Sequence, residues 1–370
     1  LALQDIMVDT AVETALCDRT LFQALADDVV KAVAAAQANS VEEANAAGGV
    51  HGRKIKLLVE DHGYDPKKAV LATQKLVSKD KIFMMVGHIG TAQNNAAMPI
   101  QFEKDVINFF PLTAAREMYE PFHRLKFSVV STYYEQIKGS LPKLVKQKEV
   151  KKVCAIYQDD EFGLEVLRGA EDGLKTENMV LAEKTSFKRG ATDFSSQVAK
   201  MKASGCELVV LGTIIRETVG TIGEARKTGF NPMFMGSSAA YSELIHKLGG
   251  KAVEGMYATM TTQIPYADSP SQQVRFWTNK YTTKFNEDPS SISVFGYTTI
   301  DTFAKAMQSV GPRPTTSKFI RAMETIQVPT DMFGSPPQKF TPTKRLGSDA
   351  SRLSQIQDGK WKVVIDYAKL

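Results

Sequence analysis

From residue 135 to residue 259, apolar runs and amphipathic segments follow one another at nearly constant spacing. Helices are expected at 135–147, 161–175, 194–203, 216–228 and 239–248, and strands at 152–157, 179–185, 207–211, 233–236 and 254–259. A run such as Leu208-Val209-Val210-Leu211 has no polar face, so both of its faces must be covered. That is the situation of a strand in a parallel sheet flanked by helices. Strand-helix alternation of this kind predicts an α/β chain with a doubly wound parallel sheet.

A shorter series of the same type precedes it. A helix over 21–47 is closed by Gly48-Gly49, a C-cap signal. A strand at 55–60 leads to the turn His62-Gly63-Tyr64-Asp65-Pro66, where Asp65 is placed to cap a helix that opens on Pro66. Helix 66–78, strand 82–86, helix 92–103 (interrupted by Pro99) and strand 106–110 follow. Helices dominate 271–325, and short strands ending in Trp361 to Ile365 read as a hairpin. With 370 residues the chain is two to three domains long. Two α/β series, a helical block and a β tail predict two lobes that the chain crosses more than once. One holds 1–125 plus 258–332, the other 126–257 plus 333–370.

In open parallel sheets ligands sit beyond the carboxyl ends of the strands. The loops at 87–91, 110–115, 158–162, 212–216 and 236–240 occupy that position, so facing lobes would form a cleft that closes on a small molecule. One of these loops, Val86-Gly87-His88-Ile89-Gly90-Thr91-Ala92-Gln93, runs from strand through glycines and a hydroxyl into a helix. Unpaired N–H groups and the positive end of a helix dipole make that an anion site. The plainer alternative is a βα turn in which Thr91 only caps the helix.

Composition narrows the function classes. The net charge of +5 is spread along the chain, and its densest stretch, Lys143 to Lys152, has no interleaved aromatics, which argues against nucleic-acid binding. Cys17, Cys154 and Cys206 form no C-x-x-C pair, and the last two read as small core residues. No apolar run approaches a membrane span, and a leader, if one existed, is expected to have been removed. Phosphate-loop, zinc-protease and nucleophile-elbow signatures are missing, so no enzyme, cofactor or metal site is expected. Histidines 51, 62, 88, 123 and 246 have no ligand spacing, and only His88 lies beside the expected cleft. Asp159-Asp160-Glu161 reads as the acidic start of a helix.

Several motifs, in their order and spacing, carry a family resemblance over residues 45–370. They are Asn45 to Ile55, Asp61 to Pro66, Val86 to Thr91, Phe110-Pro111-Leu112-Thr113, Tyr157 to Gly163, Phe234-Met235-Gly236, Gly250 to Tyr257, and Gly296-Tyr297. The chain resembles the solute-binding proteins of branched-chain amino-acid-type ABC transporters, which have the type I periplasmic-binding fold. The resemblance implies two doubly wound lobes joined by a multi-crossover hinge. It also implies a periplasmic monomer that carries a small carboxylate to a membrane permease, with no nucleic-acid partner. A ligand-sensing subunit feeding a receptor or regulator is the alternative. For the site it implies that Gly90 and Thr91, with Leu112, Thr113 and Ala114, hold the carboxylate. Phe162 would cover the ligand, Ile214 with Ile215 would oppose it, and Tyr133 or Tyr134 (Tyr134 being the choice) would line the cleft. Where amino-acid binders carry an acid for the ligand's ammonium, this chain has Ser237-Ser238-Ala239, and Ser238 takes that place. A buried ammonium without a carboxylate is costly, so an aromatic or aliphatic acid is favoured over an amino acid. The family's opening strand and Gly/Pro turn are not visible in Leu1 to Thr20.

Overall fold

The computed structural model describes residues 35–367. The expected features in Leu1 to Thr20 and the first part of helix 21–47 lie outside the described residues. Its described end, α1 over 35–46, stops at Gly48 and Gly49, both left-handed (φ +98° and +73°), which an L side chain resists. Asp65 accepts the Lys67 and Lys68 N–H groups at 2.7 and 3.0 Å, and Pro66 opens α2 (Pro66–Gln74).

The first sheet is parallel, in the order β1 (Met84–Val86), β2 (Ile107–Phe109), β3 (Lys126–Phe127). Helix α3 (Thr91–Glu103) joins β1 to β2 and continues through Pro99. Later in the chain come α9 (Gln272–Phe285), α10 (Ser291–Val310) and α11 (Thr316–Thr325). The last two pack on this sheet through Phe319, Met323 and Ala306 against Ile107, Phe109 and Phe127. The expected strand at 55–60 is not formed. Its residues pair with no described strand, and a cavity of about 380 Å³ is lined by Leu57, Leu58 and Val59 together with Met84, Met85 and Val86. A strand requires a ladder partner, and among the described residues β1 pairs only with β2.

Between β3 and the tail the chain forms α4 (Tyr133–Gln147), β4 (Val153–Gln158), α5 (Glu161–Lys175), β5 (Glu183–Phe187), α6 (Ser195–Ala203), β6 (Leu208–Gly212) and α7 (Ile215–Lys227). Then come β7 (Met233–Gly236), α8 (Glu243–Gly249), β8 (Tyr257–Met260) and the hairpin β9 (Arg352–Gln357) and β10 (Lys360–Ile365). The sheet order is β10-β9-β8-β7-β6-β4-β5, parallel from β5 to β8 and antiparallel at the hairpin. From β4 the chain moves to β5 on one side and then to β6 on the other. The crevice between the carboxyl ends of β4 and β6 is therefore the topological switch point, where open α/β sheets bind ligands. β3, ending at Phe127, belongs to the first sheet, and β8, ending at Met260, to the second. Just after β3, Ser128 is zipped to the returning chain by N–H to Arg345 O (2.9 Å) and by the Gly347 N–H to its own carbonyl (2.8 Å).

Cys154 and Cys206 are disulfide-bonded, with Cα atoms 5.8 Å apart. This corrects their reading as separate core residues. Sheet register, with Cys154 opposite Val209, brings together cysteines 52 residues apart. No helix among the described residues is long and apolar enough to cross a membrane.

Candidate functional site

The first-lobe wall of the cleft is built by two zipped loops. Gly90 N–H donates to Leu112 O (3.3 Å) and Leu112 N–H to His88 O (3.0 Å), which fixes the loop after β1 against the loop after β2. Gly90 has φ +92°, and a Cβ there would stand 2.1 Å from Gln93 Oε1 and 2.8 Å from Tyr64 Cε2, so only glycine fits. The helical ladder begins with Asn94 N–H to Gly90 O, leaving the N–H groups of Thr91, Ala92 and Gln93 ahead of it. The buried hydroxyls of Thr91 and Thr113 are 2.7 Å apart. The Tyr133 N–H donates to Ala114 O at 2.8 Å. Gly90, Thr91, Leu112, Thr113 and Ala114 are thus one unit.

The opposite wall comes from the switch point of the second sheet. Asp160 caps α5 by accepting the Phe162 and Gly163 N–H groups (3.1 and 3.3 Å). Phe162 is buried, its ring edge-on to Tyr133 with centroids 4.9 Å apart. Ile214, at the N-cap of α7, packs into the apolar cluster that holds Phe162, Tyr133, Ala114 and Met98, a cluster drawn from both lobes. Ser238 is held differently from the rest. Its N–H donates to Gln136 Oε1 (2.9 Å), its hydroxyl accepts from Gln136 Nε2 (3.0 Å), and Thr259 donates to the same Oε1 (2.8 Å). An amide and hydroxyls therefore surround this position.

Tyr134 is not in this group. Its phenol donates to Asp172 (2.9 Å) and Arg116 lies 4.1 Å over its ring. Successive helical residues project about 100° apart, and it is Tyr133 that packs on Phe162 and bonds Ala114.

Sequence reasoning missed Tyr64, Gln93, Gln158 and Arg189. The Tyr64 ring lies on Gly90, its carbonyl accepts from Gln93 Nε2 at 2.6 Å, and the Gln158 amide donates to Asp160. Arg189, in the turn after β5, donates from Nη1 to the same carbonyl at 3.2 Å and covers the ring at 4.9 Å, while Nη2 pairs with Asp160 at 2.6 Å. Burial and the Asp160 charge push the Tyr64 phenol up, and burial pushes up that of Tyr133, so both are protonated donors at neutral pH. Burial drives His88 the other way, down to about 3, so it is neutral there. The one sequence hint of Tyr64 was its turn motif, which also serves as a helix start.

Two parallel-sheet lobes thus meet at strand ends over a small polar and aromatic site. Residues 21–360 match the periplasmic binding protein family. The chain belongs to that family. Among relatives of this periplasmic binding protein is the leucine-, isoleucine-, valine-, threonine- and alanine-binding protein of Pseudomonas aeruginosa. It is 25% identical over 300 residues, covering 80% of this chain and 78% of that one. A branched-chain amino-acid ABC transporter structure from Thermus thermophilus with bound valine superposes with a TM-score of 0.82 at 18% identity, covering 92% of each chain. A fatty-acid ABC transporter substrate-binding protein from Thermomonospora curvata gives 0.81 at 22% identity, over 91% of this chain and 87% of that one. At such identities the two structures establish the fold, the α/β type I periplasmic-binding architecture.

Proposed function

We propose that this periplasmic binding protein is the extracytoplasmic component of an ABC importer and captures a small carboxylate between its lobes. The observation that carries the reading is the Thr91–Thr113 hydroxyl pair beside the free N–H groups that open α3. Hydroxyl and amide donors at a positive helix end stabilise a carboxylate without a buried counter-charge. Tyr133 and Phe162 extend the same pocket wall with aromatic surface, and Ile214 adds an aliphatic one. This suits a ligand with an apolar body.

The position expected to meet an α-ammonium holds Ser238, which is engaged by Gln136, and Asp160, just after β4, is engaged by Arg189 and the α5 cap. We therefore favour an aromatic or aliphatic acid over an amino acid. The relatives include binders of both kinds by name, so the choice rests on this chain's own side chains. A thermal-shift screen with aromatic acids, short fatty acids, dicarboxylates and aliphatic amino acids tests it. Ligand at about 100 times its Kd adds roughly 2.7 kcal/mol, a rise of about 5–10 °C for lobes of this size. A shift with the acids and none with leucine is expected. A shift with leucine overturns the choice of acid, and silence across the panel overturns the carboxylate site.

A further inference from the structure

We propose that Arg189 is the latch that holds the two lobes closed and sets how long a ligand stays bound. The inference rests on the binding-protein reading but concerns residues outside the carboxylate unit. Arg189 belongs to the second lobe, in the turn between β5 and α6, and Tyr64 to the first, in the turn before α2. Across the lobe boundary the guanidinium makes two different contacts with Tyr64, a hydrogen bond to its carbonyl at 3.2 Å and a cation–π contact at 4.9 Å. It is braced from behind by Asp160 at 2.6 Å, with side-chain exposures of 29% and 13%. Asp160 is itself fixed as the α5 cap.

Both halves of the contact are pre-set within their own lobes. Gln93 holds the Tyr64 carbonyl, and the Tyr64 ring rests on Gly90, directly beside the proposed carboxylate site. Tyr64 also adopts φ +55°, an unusual conformation for an aromatic residue, which turns its carbonyl and ring to their partners together. An ordinary surface ion pair would be made within one lobe and leave the cleft unaffected. Here the ion pair with Asp160 only braces the guanidinium within the second lobe, while its contacts with Tyr64 cross the cleft, and releasing the Tyr64 ring would uncover Gly90. The planar fork serves Asp160 and the carbonyl from separate nitrogens while its face covers the ring, whereas a lysine would have to make all three contacts from one nitrogen.

The test uses the full chain with Cys17→Ser and nitroxide labels at Leu71→Cys and Val180→Cys, one exposed position on each lobe (65% and 79% exposed). Pulsed electron spin resonance then reads the interlobe distance without any ligand. A short-distance population is expected in the otherwise native protein, depleted in Arg189→Ala and intermediate in Arg189→Lys. Tyr64→Leu, made from the other lobe, removes the cation–π contact but keeps the carbonyl hydrogen bond, so it should deplete that population less than Arg189→Ala, and adding it to Arg189→Ala should change little. Circular dichroism checks that each variant is folded. Identical distance distributions in native and Arg189→Ala protein, whether short or long, overturn the latch. With a ligand from the screen, Arg189→Ala should release it about tenfold faster at an unchanged association rate, as expected for a lost charged hydrogen bond. Equal release rates also overturn the proposal. If no ligand binds the native protein, the transport reading fails while the distance measurement still decides the latch.

Discussion

The side-chain oxygens of Thr91 and Thr113 lie 2.7 Å apart, joining the first residue of α3 to the loop after β2. Each hydroxyl carries one proton and one is used between them, which leaves a proton for a third partner. Thr91→Val should therefore weaken binding of the acid found in the screen by about 1–3 kcal/mol, or roughly 5- to 150-fold. Isothermal titration of the two proteins measures this. Unchanged affinity would remove Thr91 from the site.

Much of this arrangement was legible in the sequence because it is local. The apolar runs at 208–211 and 233–236 announced strands, and Gly90-Thr91 announced a helix start, through residues that are neighbours in the chain. Phe162 and Ile214 were named by the family resemblance, and their loops lie at the strand ends where open parallel sheets bind ligands. What could not be read depends on partners far away. Arg189 meets Tyr64 across 125 residues, and Cys154 meets Cys206 across 52. Tyr64 and Asp160 each have a sufficient local role, as turn and cap, which conceals that both are partners of Arg189. The choice between Tyr133 and Tyr134 needed the helix phase fixed by the Thr132 cap. The run at 55–60 had the right pattern for a strand but pairs with no described one.

Gly90 should tolerate no side chain. Its φ of +92° disfavours any L residue, and the Cβ would meet both the Gln93 amide and the Tyr64 ring. Gly90→Ala is expected to cost about 1–3 kcal/mol of stability, a fall of roughly 2–10 °C in Tm. Ligand binding should suffer more than stability, because the displaced groups are those that cover the carboxylate site. Calorimetry and titration on one preparation separate the two effects, and wild-type binding in the variant would contradict the geometry.

The Cys154–Cys206 bond closes a loop of 52 residues that includes α5, β5 and α6. On the chain-entropy model, crosslinking a loop of this length restricts the unfolded state by up to about 4 kcal/mol. The Cys154→Ala, Cys206→Ala double variant should fold with a Tm lower by several degrees. In the native protein both cysteines are buried, so reductant should act slowly until the lobe is partly unfolded. Thiol titration with and without urea checks this, and rapid reduction under native conditions would count against a buried bond.

His88 supplies a pH dependence whose sign can be worked out. Burial lowers its pKa to about 3 in the folded protein, and the neighbouring His62 adds to the shift. In the unfolded chain a histidine titrates near 6.5. Above about 6.5 both states hold a neutral ring and nothing is lost. As the pH falls below that, the unfolded chain takes up the proton first and stability declines, by about 1.4 kcal/mol per unit until the folded pKa is reached. Buried Glu165, Glu217 and Glu243 have raised values and act in the opposite sense, favouring the folded state as acid protonates them. The contribution of His88 is therefore read as a difference. His88→Phe keeps a ring against His62, which meets His88 edge-on at 5.1 Å, but cannot titrate. Between pH 6.5 and pH 5, urea melts of the native protein should lose about 2 kcal/mol relative to this variant. Parallel pH profiles for the two proteins would mean that His88 is protonated in the folded state and that its surroundings are wetter than the packing indicates.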